Sequence, residues 1–237
     1  TQPIYNGSPY GGYFTWVQEN GDPISIAPSN PVAQLELTDD KSTVQRSIGN
    51  AQFDYRFHFL PDLRANLNLG YDISTSEGSN FVPEYAPWAY DKLNGGGNDI
   101  NYSQDKRNSL LDFYLNYVRN LGRLDSRIDV MAGYSWQHFW RAGESLDTNV
   151  KGTVTYSDTD YETENYLVSF FGRFNYIFKE RYLATFTLRQ DGSSRFSPDT
   201  RWGLFPSVAL AWQINDEPFL ADSETLSELK LRLGYGV

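Results

Sequence analysis

From about Ser47 to the last residue, the sequence alternates large apolar side chains with small or polar ones in eight separate runs. A period of two belongs to an extended chain whose successive side chains point to opposite faces, so the runs predict β-strands with one apolar and one polar face. The first sets Phe53, Tyr55, Phe57 and Phe59 against Gln52, Asp54, Arg56 and His58, and the second sets Ala65, Leu67, Leu69, Tyr71 and Ile73 against Asn66, Asn68, Gly70 and Asp72. The third carries Leu111, Phe113, Leu115 and Tyr117 on its apolar side, and the fourth Ile128, Val130, Ala132, Tyr134 and Trp136. The fifth opposes Tyr166, Val168, Phe170, Phe174, Tyr176 and Phe178 to Ser169, Arg173 and Asn175. The last three place Tyr182, Ala184, Phe186 and Leu188, then Val208, Leu210, Trp212 and Ile214, then Leu231, Leu233, Tyr235 and Val237 on the apolar side.

The connections alternate as well. Leu60-Pro61-Asp62, Asn120 to Arg123 and Lys179-Glu180-Arg181 are short, and the first two carry Pro, Asp or Gly where tight turns need them. Between them lie polar stretches that read as long loops, at Thr75 to Lys106, Ala142 to Thr163 and Asp191 to Arg201. Short turns on one side and long loops on the other describe an up-and-down membrane barrel with its short turns facing the periplasm. Asn215 to Glu228 departs from this scheme and predicts a brief helix near Ser223 to Leu229. Residues 1–46, rich in Gly, Pro and Tyr, lack the alternation and read as an extracellular loop region, leaving 47–237 as barrel.

Alternation alone does not say what covers the apolar face. Aromatic residues make up 16% of the chain, and they gather at strand ends: Phe57, Phe59, Phe178 and Tyr182 beside short turns, and Trp136, Tyr166 and Trp202 beside long ones. Rings at both borders of an apolar band are what two membrane–water interfaces select. The runs also reach roughly 10 to 17 residues, against ~5–6 for a globular strand and ~9–11 for a tilted membrane strand. Two rivals stand beside the membrane reading. One is a soluble β-sandwich, an adhesin or glycan-binding module that buries the rings between two sheets; the other is a complete eight-stranded membrane barrel. No stretch nears the ~20 apolar residues of a spanning helix, and no basic, apolar leader is present, so a secretion signal is expected outside these residues. The net charge of −10 argues against nucleic acid as a partner. Cysteine is absent, which excludes disulfides and thiolate metal sites.

One part of the chain carries a family likeness. Phe170-Phe171-Gly172-Arg173-Phe174-Asn175-Tyr176 is followed by Arg181-Tyr182-Leu183 and by Thr187-Leu188-Arg189-Gln190-Asp191-Gly192-Ser193-Ser194-Arg195-Phe196. Arg201-Trp202-Gly203-Leu204-Phe205-Pro206-Ser207-Val208 comes next, and later Leu226 to Arg232 with Gly234-Tyr235-Gly236-Val237. Together these stretches closely resemble the barrel of SusC/RagA-type TonB-dependent transporters, and a weaker likeness covers Asn30-Pro31 and Phe57 to Tyr71. The resemblance implies an all-β, antiparallel up-and-down transmembrane β-barrel segment, about eight strands of a roughly 22-strand barrel. It also implies a bacterial outer-membrane location, uptake of glycans or peptides driven by the TonB complex through a plug, and a SusD-like lipoprotein as lid. Plug, TonB-contacting segment and the other strands are expected in a longer polypeptide of which this is a middle section.

Chemistry is sparse. His58 and His138 are the only histidines, and neither belongs to a catalytic arrangement, so neither enzyme activity nor a cofactor is expected. Gly95-Gly96-Gly97 lacks the Lys-Ser/Thr of a phosphate loop and reads as a flexible tip. Asp158, Asp160, Glu162 and Glu164 read as a solvated acidic loop, with Ca²⁺ binding as the sharper alternative. Asp191, Arg195, Asp199 and Arg201 are expected to pair and shape the hairpin loop around Gly192, Ser193, Ser194, Phe196, Trp202 and Gly203. Tyr85, Trp88 and Tyr90, in a proline-ordered loop, are candidate substrate contacts, because exposed rings stack on sugars and peptide side chains. Trp16, beside Tyr10, Tyr13 and Phe14, is another; packing against neighbouring loops or the lid is the competing role.

Overall fold

The computed structural model describes residues 4–220 and 228–237. It contains one short helix, α1 (Pro31–Leu37), and eight strands: β1 (Asp39–Arg56), β2 (Leu63–Val82), β3 (Asn98–Leu121), β4 (Ser126–Thr148), β5 (Thr155–Phe178), β6 (Tyr182–Ser193), β7 (Trp202–Gln213) and β8 (Lys230–Gly236). They form one sheet in the order β1-β2-β3-β4-β5-β6-β7-β8, the meander that alternating connections predict. No second sheet faces it among the described residues, so the sandwich does not form. The sheet has β1 and β8 as its edges, not the closed ring of a complete eight-stranded barrel.

Several strands outrun their sequence signal. β1 begins at Asp39 rather than near Ser47, and the stretches taken for long loops are largely strand: β2 runs on to Val82, β3 starts at Asn98, β4 ends at Thr148 and β5 starts at Thr155. The reason lies in how the chain divides. One unit holds Thr1–Ser47, Ile73–Lys106 and Trp140–Thr163; the other holds Ile48–Asp72, Arg107–Phe139 and Glu164–Val237. Alternation marks strands only in the second. In the first, both faces of the ribbons carry polar side chains, so backbone pairing extends the chain with no hydrophobic pattern to announce it. Ahead of β1, Asn30 caps α1 by accepting from the backbone N–H of Val32 (3.0 Å) and Ala33 (3.4 Å), and Pro31 occupies a first-turn position where no N–H is needed.

Register keeps the faces separate in the second unit. Phe174 of β5 lies opposite Phe186 of β6, which lies opposite Val208 of β7, which lies opposite Tyr235 of β8. The next row is Tyr176, Ala184, Leu210 and Leu233, and the next Phe178, Tyr182, Trp212 and Leu231. Rows of the other parity hold Arg173, Thr187, Ser207 and Gly236, then Asn175, Thr185, Ala209 and Gly234. The polar face is bonded across strands, Asn50 to Asn68 (2.5 Å), Asn116 to Asp129 (2.7 Å), Ser135 to Asp112 (2.5 Å) and Thr185 to Asn175 (2.9 Å).

Burial in this unit runs opposite to that of a water-soluble domain. Phe170, Phe186 and Leu210 are 50%, 48% and 53% exposed, whereas Asn66 and Ser169 are 4% and 6% exposed. Every buried apolar side chain among the described residues (Tyr10, Tyr13, Ala33, Val82, Ala86) belongs to the first unit. A single uncovered sheet face this rich in rings has hydrocarbon as its compatible solvent, and strands satisfy their backbone groups there through pairing.

Both borders of the apolar band are aromatic. Beside the long connections, the His138 ring stacks on Tyr166 (4.5 Å, 9°) with Trp136 alongside, and Phe170 packs between Tyr134 (5.2 Å) and Trp202 (6.2 Å). Beside the short turns, Phe178, Tyr182 and Trp212 stack in sequence at 6.0 and 6.3 Å. The turn under Phe178 is tight: Lys179 and Glu180 adopt left-handed φ of 50° and 57°, and the Arg181 N–H returns to the Phe178 carbonyl (3.1 Å). That hand matches the strand twist.

Buried Glu217 ties this border down. Its carboxylate accepts from the Tyr182 hydroxyl (2.5 Å), Trp212 Nε1 (3.0 Å) and Arg181 Nη1 (3.2 Å). It follows the 3-10 turn Ile214–Asp216, in the connection where a helix was expected. Ser223 to Ser227 of that expected helix lie outside the described residues, and Leu229 is not helical. The Tyr182 and Trp212 hydrogen bonds hold the Glu217 carboxyl below its ordinary range, with the Arg181 charge adding to the effect.

Two predictions follow from facing and from this anchor. Gly172 pairs with Leu188 on the ring face, and the nearest atom to an added Cβ is the Met131 carbonyl at 3.7 Å. Gly172→Arg is therefore expected to block membrane assembly, at about 2–4 kcal/mol for a midplane charge, while Gly172→Ala assembles normally; heat-modifiable gel mobility of the full-length protein distinguishes them. A depressed carboxyl contributes fully above its ordinary pKa, roughly 4.3, and its contribution disappears as pH falls through the lower folded value. Urea midpoints followed by tryptophan fluorescence are expected to drop across that acid window in the wild type and not in Glu217→Gln.

Candidate functional site

The four aromatic candidates all fall in the first unit, where they do not form one platform. Trp16 pairs with Ile24 across a small hairpin, the Ile24 N–H donating to the Trp16 carbonyl (2.9 Å), and its ring stands edge-on to Phe14 at 5.1 Å. With Trp88, Pro28 and Pro87 it lines a cleft of about 20 Å³, room for about one water and not for a sugar ring. Tyr90 is turned to packing: it meets Tyr10 edge to face at 5.6 Å, and its hydroxyl donates to Asp22 (3.3 Å), which also pairs with Lys92 (3.4 Å). Buried Tyr10 donates its hydroxyl to the Gly21 carbonyl (2.8 Å), and desolvation raises its pKa, with Tyr90 and Asp22 adding to the shift. Tyr85 and Trp16 remain exposed.

The glycine run is a packed element rather than a flexible tip. A Cβ on Gly96 would come within 2.1 Å of the Ala89 carbonyl oxygen, and Gly97 (φ +80°) would meet Val150 and the Val82 carbonyl. Asn149, fully buried, pins the run: its Nδ2 donates to the carbonyls of Asn94 (2.7 Å) and Gly95 (3.0 Å), and its Oδ1 accepts from the backbone of Thr153 (2.8 Å) and Val154 (3.0 Å).

The hairpin of β6 and β7 holds the second candidate set. Gly192 faces Trp202, whose ring lies so close that a Cβ on Gly192 would sit 2.7 Å from it. Gly203 is likewise overlain by Phe205, 2.8 Å from an added Cβ. The loop hangs on backbone and hydroxyl bonds: the Ser194 N–H donates to the Tyr166 carbonyl (3.0 Å), the Tyr166 N–H to Ser194 Oγ (2.9 Å), and the Ser193 N–H to the Arg201 carbonyl (3.0 Å). The expected ion pairs among Asp191, Arg195, Asp199 and Arg201 do not form. Asp191 is held by Arg189 (2.7 Å), Arg195 bonds Asn165 (3.0 Å), and Arg201 Nε is buried without a partner. Two residues apart on one strand, Arg189 and Asp191 share a face, whereas the loop arginines leave that plane. Arg189 further donates to Ser169 (2.9 Å) and lies 5.8 Å over the Phe171 ring.

The acidic run is strand, not loop. Asp158, Asp160, Glu162 and Glu164 lie in β5 at alternate positions, so they share one side of the ribbon at about 7 Å spacing. Glu162 accepts from Trp140 Nε1 (2.7 Å), and Glu164 accepts from Tyr166 (2.6 Å) and contacts His138 Nε2 (2.8 Å). Among the described residues no group of three His, Cys, Asp or Glu converges on a metal position.

Comparison with known proteins decides the lineage. The family described as TonB dependent receptor-like, beta-barrel, matches residues 1–237. The chain belongs to it. The TonB-dependent receptor SusC of Bacteroides thetaiotaomicron is 40% identical over 260 residues, an alignment covering 100% of this chain and 25% of SusC. TonB-dependent receptor P26 of Formosa agariphila is 30% identical over 252 residues, covering 100% and 24%. Among solved structures, the RagAB peptide transporter shares the fold at a TM-score of 0.78 and 20% identity, covering 92% of this chain and 26% of that one. The chain is thus a SusC/RagA-type barrel section that spans about a quarter of the length of the curated relatives it matches.

In this TonB-dependent receptor barrel, an aromatic residue of β5 and one of β7 depart from the simple alternation of those strands. Phe171 and Phe205 both pair with Arg189, which places them on the polar face. Phe171 rests on Gly133, where an added Cβ would come within 2.5 Å of the ring. Adjacent Phe170 and Phe171 carried the signal, since two neighbours cannot share a face. Filling such a glycine hollow overpacks the sheet, at about 1–3 kcal/mol. Gly192→Ala is expected to lower the urea midpoint of the full-length receptor, and Gly172→Ala, whose Cβ meets only the Met131 carbonyl at an ordinary 3.7 Å, is expected to leave it unchanged.

Proposed function

We propose that this chain is part of the barrel of an outer-membrane importer that takes up glycans or peptides. The observation that supports this reading best is the inverted burial of the second unit: rings outward, hydrogen-bonded polar side chains on the other face. An apolar exterior suits lipid, and a polar interior suits a route for hydrophilic cargo. On this reading residues 1–46 form an extracellular region and 47–237 belong to the barrel. Import draws energy from the TonB complex through a plug, a SusD-like lipoprotein closes the outer mouth, and the receptor performs no catalysis. Of the four aromatic candidates, exposed Tyr85 and Trp16 are the pair we assign to contact with cargo or lid. Trp88 and Tyr90 hold those loops in place.

Deleting the full-length gene is expected to abolish growth on the one glycan or peptide source it serves and to leave growth on monomeric nutrients intact. Complementation is expected to restore growth, with the receptor in the outer-membrane fraction. Recovery of the full-length receptor as a monomeric, detergent-free soluble protein would sink the proposal.

A further inference from the structure

The polar face of the second unit carries a hollow of about 330 Å³ beside the hairpin loop of β6 and β7, at the small end of ligand sites and large enough for one cargo residue. Two guanidinium groups line it, in different electrical states. Arg189 is neutralised by Asp191, which accepts through both oxygens at 2.7 and 3.0 Å, and its Nη2 is used by Ser169. Among the described residues Arg201 has no such partner: its Nε is closed off from solvent with no acceptor, and the one acidic residue lining the hollow, Asp191, is engaged by Arg189. Exposed Phe196 and Phe205 add ring surface to the same hollow. A chain of net charge −10 therefore keeps one uncompensated positive charge beside aromatic surface on its polar face.

We propose that this hollow is a subsite for a carboxylate group of the cargo, received by Arg201 with the body of that residue against Phe196 and Phe205. The inference rests on the import reading and names the chemistry it selects. A planar guanidinium fork matches a carboxylate, and one net positive charge balances a monoanion, whereas a phosphate dianion would need a second free cation. An acidic sugar and the C-terminus of a peptide present the same group, so both are tested.

The experiment uses the purified full-length receptor and calorimetric titration with two probe pairs: a uronic-acid oligosaccharide and its neutral hexose counterpart, and a short peptide with a free or an amidated C-terminus. The wild type is expected to prefer the acidic member of one pair, and that pair names the source. Arg201→Gln is expected to weaken the acidic member by about tenfold, the scale of one lost charge-assisted hydrogen bond, and to leave the neutral member unchanged. Arg201→Lys, which keeps the charge without the fork, is expected to retain part of the preference and covers the case in which the glutamine variant fails to fold. Arg195→Gln, whose guanidinium bonds Asn165, is expected to behave as wild type. Equal wild-type binding of acidic and neutral members in both pairs, or equal weakening of both by Arg201→Gln, overturns the subsite. Uptake of neutral cargo by cells carrying Arg201→Gln keeps the import reading standing in that event; loss of all uptake in wild-type cells overturns the import reading instead.

Discussion

The pairing register of β5, β6, β7 and β8 carries residues of one parity onto one face through four successive strands, Phe174 to Phe186 to Val208 to Tyr235 in one row and Arg173 to Thr187 to Ser207 in the next. A slip of one residue in any pairing would send a row of rings to the polar side and an arginine into hydrocarbon. Between β5 and β6 the register is set by a short turn, the left-handed pair Lys179 and Glu180, which brings Phe178 directly opposite Tyr182. The exposed rings, the bonded polar side chains and the aromatic borders are all consequences of that alignment.

Each face has its own means of cohesion. On the ring face, side chains stack with their neighbours at the borders, and Glu217 gathers the polar tips of Tyr182 and Trp212. A tyrosine hydroxyl and an indole N–H thus find an acceptor where the apolar band ends, instead of being left to lipid. The polar face is held by cross-strand pairs such as Asn116 with Asp129 and Asp112 with Ser135. Such pairs keep acceptors and donors satisfied without a packed hydrophobic core.

The strands of the second unit were legible because lipid on one side and polar surroundings on the other impose a period of two. Two short turns were legible from Pro61 and Asp62 and from Gly122, and Lys179-Glu180-Arg181 only from the break in alternation it makes. The first unit was not: residues 39–47, 73–82 and 98–106 pair as strands with polar side chains on both faces, and no periodicity distinguishes such a ribbon from a loop. The packing of the glycine run is hidden for a related reason, because its need for glycine comes from Val150 and the folded-back Ala89 rather than from its immediate neighbours. At the hairpin, the motif residues identified the place but not the partners. Which arginine meets Asp191 depends on strand face, and Arg189 lies on the same face while Arg195 and Arg201 belong to the loop.

The bonded polar face also bears on how such a lining can change over time. When Asp112 holds Ser135, or Asn175 holds Thr185, replacing one member strands the other. Divergence of this face is then constrained to proceed by compensated double exchanges between adjacent ribbons, with fewer single-step routes than a count of its positions suggests. Sites without a cross-strand tie, Arg201 among them, are where single steps come cheapest.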